Sequence, residues 1–329
     1  MTTPLLEARG LVRHFSLGSG LFERGGALVK AVDGVNFSIA PGETLGLIGE
    51  SGCGKTTVAR LTLGLVAPTG GQLLFEGVDI ANADPVVRKT YRRSVQAVFQ
   101  DPQSSLNPRM RIGDIVAEPV EVSLRLSRAE TRVRVLETLD KVGIGADMAE
   151  RFPHQFSGGQ RQRIAIARAL AVRAKAIVLD EPVASLDVSV RSQVLNLLRD
   201  LQDEYGLSYL FISHDLATSA YLCHRVAVMY LGRIVETGSA AQLYCDPKHP
   251  YTQALLAAAE ISPMAAGAQE LDTADVPSPI APPPGCHFHP RCPRATERCK
   301  VEAPASRVIA EGRVVACHLY RSEEHTSEL

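Results

Sequence analysis

Nine residues in the first fifth of the chain read Gly49-Glu50-Ser51-Gly52-Cys53-Gly54-Lys55-Thr56-Thr57, which fits the phosphate-loop pattern GxxxxGK(S/T). The apolar run before them predicts a buried strand, and apolar residues at helical spacing after them predict a helix. The glycines would let backbone N–H groups surround phosphate oxygens at a helix N-terminus, whose partial positive charge favours anions. We therefore expect Lys55 to reach the β- and γ-phosphates of a nucleotide and the hydroxyl of Thr56 to ligate Mg²⁺.

Two further motifs follow along the chain. Ser157-Gly158-Gly159-Gln160 precedes apolar residues at helical spacing, so its glycines would leave N–H groups free at a second helix start. The next apolar run ends in Asp180 and Glu181, as a central strand does when its carboxyl end faces a ligand. We expect Asp180 to hold the Mg²⁺ shell and Glu181 to polarise the attacking water. A strand that meets a solvated loop would give the same pattern, but the preceding SGGQ motif favours the catalytic interpretation.

The order and spacing of these motifs resemble the ATP-binding cassette ATPases, the nucleotide-binding subunits of ABC transporters. The resemblance implies an α/β fold with a phosphate-loop NTPase (RecA-like) core, an antiparallel β-subdomain and an α-helical subdomain. A small Cys-containing C-terminal extension would follow this core. The resemblance also implies a dimer, in which residues 157–160 of one subunit bind the nucleotide held by the other.

The same resemblance implies roles for four more residues. Gln100 matches the glutamine loop that contacts the metal site, and His214 matches the switch histidine that senses the γ-phosphate. Asp187 lies in the loop that crosses between subunits, and Phe15 occupies the place of an aromatic that stacks on adenine. The expected catalytic residues are Lys55, Gln100, Glu181 and His214. The expected nucleotide-binding residues are Phe15, Gly49, Glu50, Ser51, Gly52, Cys53, Gly54, Lys55, Thr56, Thr57, Ser157, Gly158, Gly159, Gln160 and Asp187. The expected Mg²⁺ ligands are Thr56, Gln100 and Asp180.

Segments outside these motifs are similar to the oligopeptide/dipeptide importer ATPases. They are residues 101–110, residues 249–256, the Pro-rich stretch that leads to Cys286, and the tail positions Phe288, 291–293, Cys299 and 315–318. Residues 107–110 and the insert at 18–30 resemble the second of two non-identical ATPase subunits. The resemblance implies as partners another ATPase subunit, two transmembrane permease subunits and, indirectly, an extracytoplasmic substrate-binding protein. It places the chain peripherally on the cytoplasmic face of the cell membrane.

Composition divides the chain into segments. Residues 1–260 are predicted to form the ABC ATPase domain, with a helical subdomain at about 101–165. The stretch that follows is rich in proline, which predicts a linker at 261–285. The cysteines after it mark a Cys-rich extension at 286–320. The last nine residues, 321–329, can be back-translated into a common sequencing-library adapter. We expect them to be an artefact and exclude them from fold reasoning.

Four of the seven cysteines lie in the predicted extension. They are Cys286, Cys292, Cys299 and Cys317. Because disulfides are rare in a reducing compartment, this clustering favours a metal centre. Four thiolates suit a 4Fe–4S cluster or Zn²⁺, and the resemblance to importer ATPases favours iron–sulfur. Reduced cysteines packed in a small cap are the alternative.

Composition also bears on the function class. The chain has 45% hydrophobic residues and a net charge of -1, without an apolar run long enough to span a membrane or a secretion signal. A near-neutral charge argues against a surface for nucleic acid, so we expect no nucleic-acid partner. The competing function is a soluble ABC ATPase of the DNA-repair or translation type. A single uninterrupted cassette favours the importer.

Overall fold

The computed structural model describes residues 3–16, 28–101, 105–259 and 277–320. Its strands are β1 (Leu6–Ser16), β2 (Leu28–Ile39), β3 (Thr44–Ile48), β4 (Gly70–Phe75), β5 (Val78–Asp79), β6 (Val95–Val98), β7 (Ala176–Asp180), β8 (Ser208–Ser213), β9 (Arg225–Tyr230), β10 (Arg233–Ser239), β11 (Arg307–Ala310) and β12 (Arg313–Val315). Its α-helices are α1 (Lys55–Thr62), α2 (Pro85–Ser94), α3 (Ile112–Ser123), α4 (Arg128–Lys141), α5 (Gly158–Leu170), α6 (Val188–Tyr205), α7 (Leu216–Leu222), α8 (Ala240–Cys245), α9 (Pro250–Ala258) and α10 (Glu297–Val301).

The main sheet has the strand order β11-β12-β10-β9-β3-β8-β7-β6. Strands β9, β3, β8, β7 and β6 are parallel, and β10, β12 and β11 add antiparallel at one edge. Every residue of β3, β7 and β8 is buried. Strands covered on both faces need apolar residues at almost every position, which explains their continuous apolar runs. The predicted α/β fold is confirmed.

Alternate residues of these strands enter two separate cores. Ile177 and Leu179 of β7 pack in the core that contains residues of α3, α5 and α6. Ala176 and Val178 pack in the opposite core, with α1 and the antiparallel strands β1 and β2. Because successive strand side chains point to opposite faces, the central sheet separates two layers.

The predicted β-subdomain is a second sheet with the order β2-β1-β4-β5. Strands β4 and β5 form a hairpin, with Leu74 opposite Asp79 and Phe75 opposite Val78. The two turn residues, Glu76 and Gly77, have φ values of 50° and 83°. A two-residue turn with both φ values positive matches the right-handed twist of the strands.

The predicted helical subdomain is also present. Helix α4 begins with a capping box, in which the Ser127 hydroxyl accepts from the Glu130 N–H and the Glu130 carboxylate accepts from the Ser127 N–H. Val135 and Leu139 of α4 are buried with Ile115 of α3. These helices pack on α5, whose N-terminus carries the SGGQ motif.

The C-terminal tail joins the main sheet. Strand β12 pairs with β10, with Val315 opposite Glu236 and Val314 opposite Thr237, and β11 completes a hairpin. The part of the Pro-rich linker that the structure describes, 277–285, contains no regular helix or strand, as its prolines predict. The rest of the linker, most of the 18–30 insert, residues 102–104 and the last nine residues lie outside the described chain. Among the described residues, no helix is long and apolar enough to cross a membrane.

His249, which precedes α9, predicts a pH-dependent stability. It is 1% exposed, its Nδ1 accepts the N–H of Tyr251, and burial lowers its pKa to about 3 from 6.5. The folded pKa is below the unfolded value, so the unfolded chain binds more protons between these pH values. We expect the His249 contribution to be intact above pH 6.5 and to decline on acidification by up to about 1.4 kcal/mol per pH unit.

Thermal unfolding midpoints at pH 7.5 and 5.5 test this expectation. His249→Asn keeps a capping acceptor but does not titrate, so it should lose less stability on acidification than the wild type. Equal losses in the two proteins would contradict the assignment to His249. Burial also lowers the pKa of His287, so some pH dependence should remain in the variant.

Candidate functional site

The predicted catalytic motifs follow neighbouring strand ends at one edge of the main sheet. Strands β3 and β8 remain in register up to Ile48 and Ser213, and β7 ends on Asp180 beside Ile212. Parallel strands present their carboxyl ends at the same edge, which in α/β proteins is the ligand-binding edge. The residues that follow these three ends are Gly49, Glu181 and His214.

The phosphate loop connects β3 to α1. Lys55 is 6% exposed, and its Nζ donates to the carbonyl oxygens of Gly49 at 2.7 Å and Glu50 at 2.9 Å. Gly49 has a φ of +154°, and a Cβ there would lie 2.2 Å from the carbonyl oxygen of Met229. Only glycine fits so close to a neighbouring backbone, so the packing of the loop requires it.

The start of α1 can accept an anion. Gly54 is its N-cap with a φ of 114°, no side chain caps the helix there, and the first turn carries no acidic residue. The first N–H groups of a helix lack intrahelical partners and lie at the positive end of the helix dipole. The phosphates of a nucleotide fit this helix start.

Asp180 and Glu181 are adjacent carboxylates at the end of β7. Asp180 is 9% exposed, and burial, together with the charge of Glu181, raises its pKa above the usual range, although Lys55 opposes this. Glu181 has a φ of +49°, which is unusual for a residue with a side chain. Such strained positions cluster at active sites. A buried carboxylate beside a second one suits a divalent cation such as Mg²⁺.

His214 lies beside Glu181. Its Nδ1 is 3.0 Å from Oε1 of Glu181, and the His214 side chain is 56% exposed whereas that of Glu181 is 17% exposed. The next residue, Asp215, accepts two backbone N–H groups at the start of α7 and a guanidinium N–H of Arg191 in α6 at 2.7 Å. The histidine loop is therefore anchored to two helices.

The other residues predicted to bind the nucleotide or Mg²⁺ in this region differ in their exposure and contacts. Gln100 comes two residues after β6 and is exposed, as is Thr56. Phe15 lies near the end of β1, with the guanidinium of Arg13 4.5 Å from its ring centroid. Cys53 is 4% exposed and burial raises its pKa, which suits a packing role in the loop. Their roles toward a nucleotide stay predictions.

The SGGQ motif forms the start of α5. Ser157 and Gln160 form a capping box: the hydroxyl accepts the Gln160 N–H at 3.3 Å, and the Gln160 side chain accepts the Ser157 N–H at 3.0 Å. Among the described residues, no hydrogen bond or ion pair joins this motif to the phosphate loop. Asp187 is exposed at the N-cap of α6.

Gly159 packs directly against α6. A Cβ at this position would lie 2.3 Å from Cγ1 of Val190, so Gly159→Ala should push α5 away from α6. We expect a loss of about 1–3 kcal/mol in stability, the usual cost of overpacking, and a lower ATP turnover. In a Val190→Ala background the added methyl has room, so the penalty should be much smaller. Unfolding midpoints and steady-state turnover of the four proteins check this, and equal penalties in both backgrounds would contradict the predicted clash.

The tail thiols were predicted to hold a metal centre. Within the described part of the chain, no group of three or more His, Cys, Asp or Glu side chains is positioned to hold a metal ion. Burial raises the pKa of Cys286 to about 11, and smaller contributions in the same direction come from Cys299, Cys317 and Cys292. The Cys286 N–H also donates to the carbonyl oxygen of Cys299 at 2.8 Å.

Two family models match the chain. The ABC transporter model matches residues 32–184, and the oligopeptide/dipeptide transporter C-terminal region matches residues 235–299. The dipeptide transport ATP-binding protein DppF of Haemophilus influenzae is 48% identical over 316 residues, which are 96% of each chain. The chain belongs to the ABC transporter ATP-binding proteins.

Other members of this ABC family extend the likeness. The oligopeptide transport ATP-binding protein AppF of Bacillus subtilis is 47% identical over 320 residues, 96% of this chain and 97% of that protein. The structure of cbiO1 from Clostridium perfringens, part of the ABC transporter complex cbiONQ, has a TM-score of 0.64 at 29% identity, covering 74% of this chain and 91% of that one. A dimeric ATP-binding cassette bound to ADP and Pi has a TM-score of 0.63 at 27% identity, covering 71% and 98%.

Sequence reasoning missed two residues that contact the phosphate loop of this ABC protein. The Tyr251 hydroxyl accepts the Glu50 N–H at 2.9 Å, and the Arg291 guanidinium donates to the Glu50 carboxylate. Tyr251 and Arg291 stand out in the sequence only as parts of segments that resemble the importer ATPases, without a predicted role. A single arginine between two tail cysteines gives no local signal of a partner so distant in the chain.

Proposed function

We propose that this chain is the ATP-hydrolysing subunit of an ABC importer for peptides of the dipeptide/oligopeptide class. The observation that carries the proposal is a sequence identity of 47–48% to dipeptide and oligopeptide transport ATP-binding proteins over 96% of this chain. The match of residues 235–299 to the C-terminal region of oligopeptide/dipeptide transporters supports it. The strand-end site supports the hydrolytic part, because phosphoryl transfer needs mainly positioning and neutralisation of charge.

Each group of the site has a proposed role. The phosphate loop and the start of α1 hold the phosphates, and Lys55 neutralises the β- and γ-phosphates. Thr56, Asp180 and Gln100 would hold Mg²⁺, which supplies positive charge that offsets the charge of the phosphates. Glu181 orients and polarises the attacking water.

His214 is proposed to sense the γ-phosphate. Its proximity to Glu181 supports this role, since the imidazole can hold the carboxylate in the orientation needed for the water. Phe15 is proposed to stack on adenine; its side chain is partly exposed, and the Arg13 guanidinium lies 4.5 Å from the ring centroid.

The active form is proposed to be a dimer with two composite sites. Residues 157–160 begin a helix, where backbone N–H groups favour phosphate, and lack a hydrogen bond to the phosphate loop of the same chain. In the dimer they would bind the nucleotide held by the partner, with Asp187 at the crossing between subunits. The resemblance to the second ATPase of peptide importers supports a non-identical partner.

The membrane partners follow from the same proposal. Two permease subunits would form the transport path, an extracytoplasmic binding protein would deliver peptide, and this subunit would lie on the cytoplasmic face of the membrane. The helical subdomain, α3 to α5, carries the SGGQ motif and follows Gln100, so its surface is proposed to dock on the permease. Nothing favours a DNA-repair or translation ATPase over this assignment, and no nucleic-acid partner is proposed.

The tail thiols are proposed to bind a 4Fe–4S cluster, with Zn²⁺ as the alternative, although no group of three or more ligating side chains is positioned for a metal among the described residues. Four cysteines supply the right donor type, and Cys299 adds to the raised pKa values of Cys286, Cys292 and Cys317, which burial mainly causes. Protein purified without oxygen should contain about four irons per chain and absorb visible light. Cys292→Ser should lose the metal and Cys245→Ser, at an exposed cysteine outside the cluster, should keep it. Wild-type protein without iron or zinc would contradict the proposal.

Affinity capture of the tagged chain from its native membranes tests the importer assignment. We expect mass spectrometry to find two permease subunits and a second cassette ATPase, and the captured complex to hydrolyse ATP faster when the binding protein and peptide are added. The Glu181→Gln variant should capture the same partners without turnover. Capture of ribosomal or DNA-repair proteins, with no permease, would overturn the transport assignment.

A further inference from the structure

The C-terminal tail contacts the phosphate loop through an ion pair between a buried arginine, Arg291, and a partly buried glutamate, Glu50. Arg291 donates from Nη1 to Oε2 of Glu50 at 2.9 Å and from Nη2 to Oε1 at 3.0 Å. The Arg291 side chain is 6% exposed and that of Glu50 is 23% exposed. A two-point pair of a guanidinium and a carboxylate fixes orientation as well as distance.

Aromatic rings hold the arginine in place. The guanidinium carbon lies 5.9 Å from the ring centroid of Phe288 and 6.0 Å from that of Tyr230. The Phe288 and Tyr230 rings are in edge contact at 5.3 Å, and Tyr251 packs on Tyr230 at 4.6 Å. All three rings are at most 1% exposed. The arginine therefore projects from a rigid platform that the tail shares with β9 and α9.

Glu50 is constrained at its backbone as well as its side chain. Its N–H donates to the Tyr251 hydroxyl at 2.9 Å, and its carbonyl oxygen accepts from Nζ of Lys55 at 2.9 Å. A displacement of Glu50 would therefore move a hydrogen-bond acceptor of Lys55, the residue that is expected to bind the phosphates. The carboxylate of Glu50 is in turn held by Arg291.

A second contact links the tail to the same loop. His287 is 8% exposed, and its Nδ1 is 3.1 Å from the carbonyl oxygen of Leu231 in the turn between β9 and β10. The next residue of that turn, Gly232, donates its N–H to the carbonyl oxygen of Cys53 at 2.9 Å. The tail thus supports the phosphate loop at two positions, directly at Glu50 and, through the turn between β9 and β10, at Cys53.

We propose that Arg291 is a positioning residue for ATP binding. From the C-terminal tail it holds Glu50, and through Glu50 the phosphate loop, in the shape that receives the phosphates. The proposal rests on the proposed ATPase function and adds to it that the tail is part of the nucleotide site of its own chain. Arg291 acts through Glu50 and Lys55, so its removal should weaken nucleotide binding more than it slows the chemical step.

Arg291→Gln tests the proposal in the full-length chain. We expect the KM for ATP and the Kd of a fluorescent ATP analogue to rise roughly tenfold or more, with kcat changed about twofold at most, the pattern of lost binding. Arg291→Lys keeps the charge but cannot form the two-point pair, and should lie between Gln and wild type. Arg298→Gln, at an exposed tail arginine paired with Glu302, is the matched control and should bind nucleotide as the wild type does.

A double-variant cycle separates positioning from simple destabilisation. Glu50→Gln should raise the same Kd by a similar factor, and adding Arg291→Gln should cost little more, because both changes remove one interaction. If Arg291→Gln does not fold, Glu50→Gln alone provides the test. If the Kd values of the variants are unchanged and the wild-type protein hydrolyses ATP, the Arg291 proposal is overturned and the proposed function stands. Wild-type protein without ATP turnover would instead refute the proposed function.

Discussion

Replacing Glu181 with Gln is expected to lower kcat for ATP by about 10²–10⁴-fold, the usual share of a positioned general base. The amide keeps the size of the side chain and can still hydrogen-bond His214, whose Nδ1 lies 3.0 Å from the carboxylate. It cannot accept the proton of the attacking water. The phosphate loop is untouched, so the Kd of an ATP analogue should stay within a few-fold of the wild type.

The variant should also accumulate as an ATP-bound dimer with its partner subunit, because the two subunits would close around ATP before the hydrolysis step that the substitution blocks. Size-exclusion chromatography with ATP and Mg²⁺ measures this, and single-turnover hydrolysis measures the chemical step. Glu204→Gln is the matched control, since Glu204 is an exposed carboxylate paired with Lys141. Wild-type turnover in the Glu181→Gln protein would show that another group serves as the base.

Replacing Arg313 with Met is expected to destabilise the junction of the tail and the main sheet by about 3–5 kcal/mol, the cost of leaving a buried charge unpaired. Arg313 donates to Oε1 of Glu236 at 3.0 Å, and the side chains are 5% and 0% exposed. The Glu236 carboxylate also accepts the N–H groups of Lys248 and His249. The two strands that carry the pair, β10 and β12, are hydrogen-bonded neighbours.

Urea unfolding and limited proteolysis of the tail measure this effect. Arg313→Met should lower the unfolding midpoint and speed cleavage after residue 277, whereas Arg298→Met, which breaks an exposed pair with Glu302, should shift stability by less than about 1 kcal/mol. Adding Glu236→Met should recover part of the loss, because it removes the orphaned charge. A midpoint for Arg313→Met equal to that of Arg298→Met would contradict the buried-pair argument.

The phosphate-loop region could be predicted from the sequence because its determinants are local. An apolar strand, a glycine-rich turn and an amphipathic helix follow one another between Thr44 and Thr62, and each is recognisable within its own few residues. The capping box of Ser157 and Gln160 is local in the same sense. The resemblance to ABC ATPases added Gln100, His214 and Asp187, which no local pattern would single out.

The contact between His214 and Glu181 could not be predicted without the strand order of the main sheet. The two residues are 33 positions apart in the chain, and they meet because β7 and β8 are adjacent, parallel and end at the same level. Sequence periodicity predicts that strands exist, but the order of strands depends on how helices of α/β units pack over both faces. Sheet order is a property of the whole chain.

The sequence by itself determined the ATP-binding motifs, the α/β class and the family of this protein, because these depend on contiguous residues and their spacing. Only the tertiary structure showed that the tail, predicted as an extension beyond a linker, continues the main sheet through β12 and reaches the phosphate loop. Arg291 and Glu50 are 241 positions apart. Their contact depends on the joint packing of β9, α9 and the tail, and long-range packing of this kind leaves no periodic trace in the sequence.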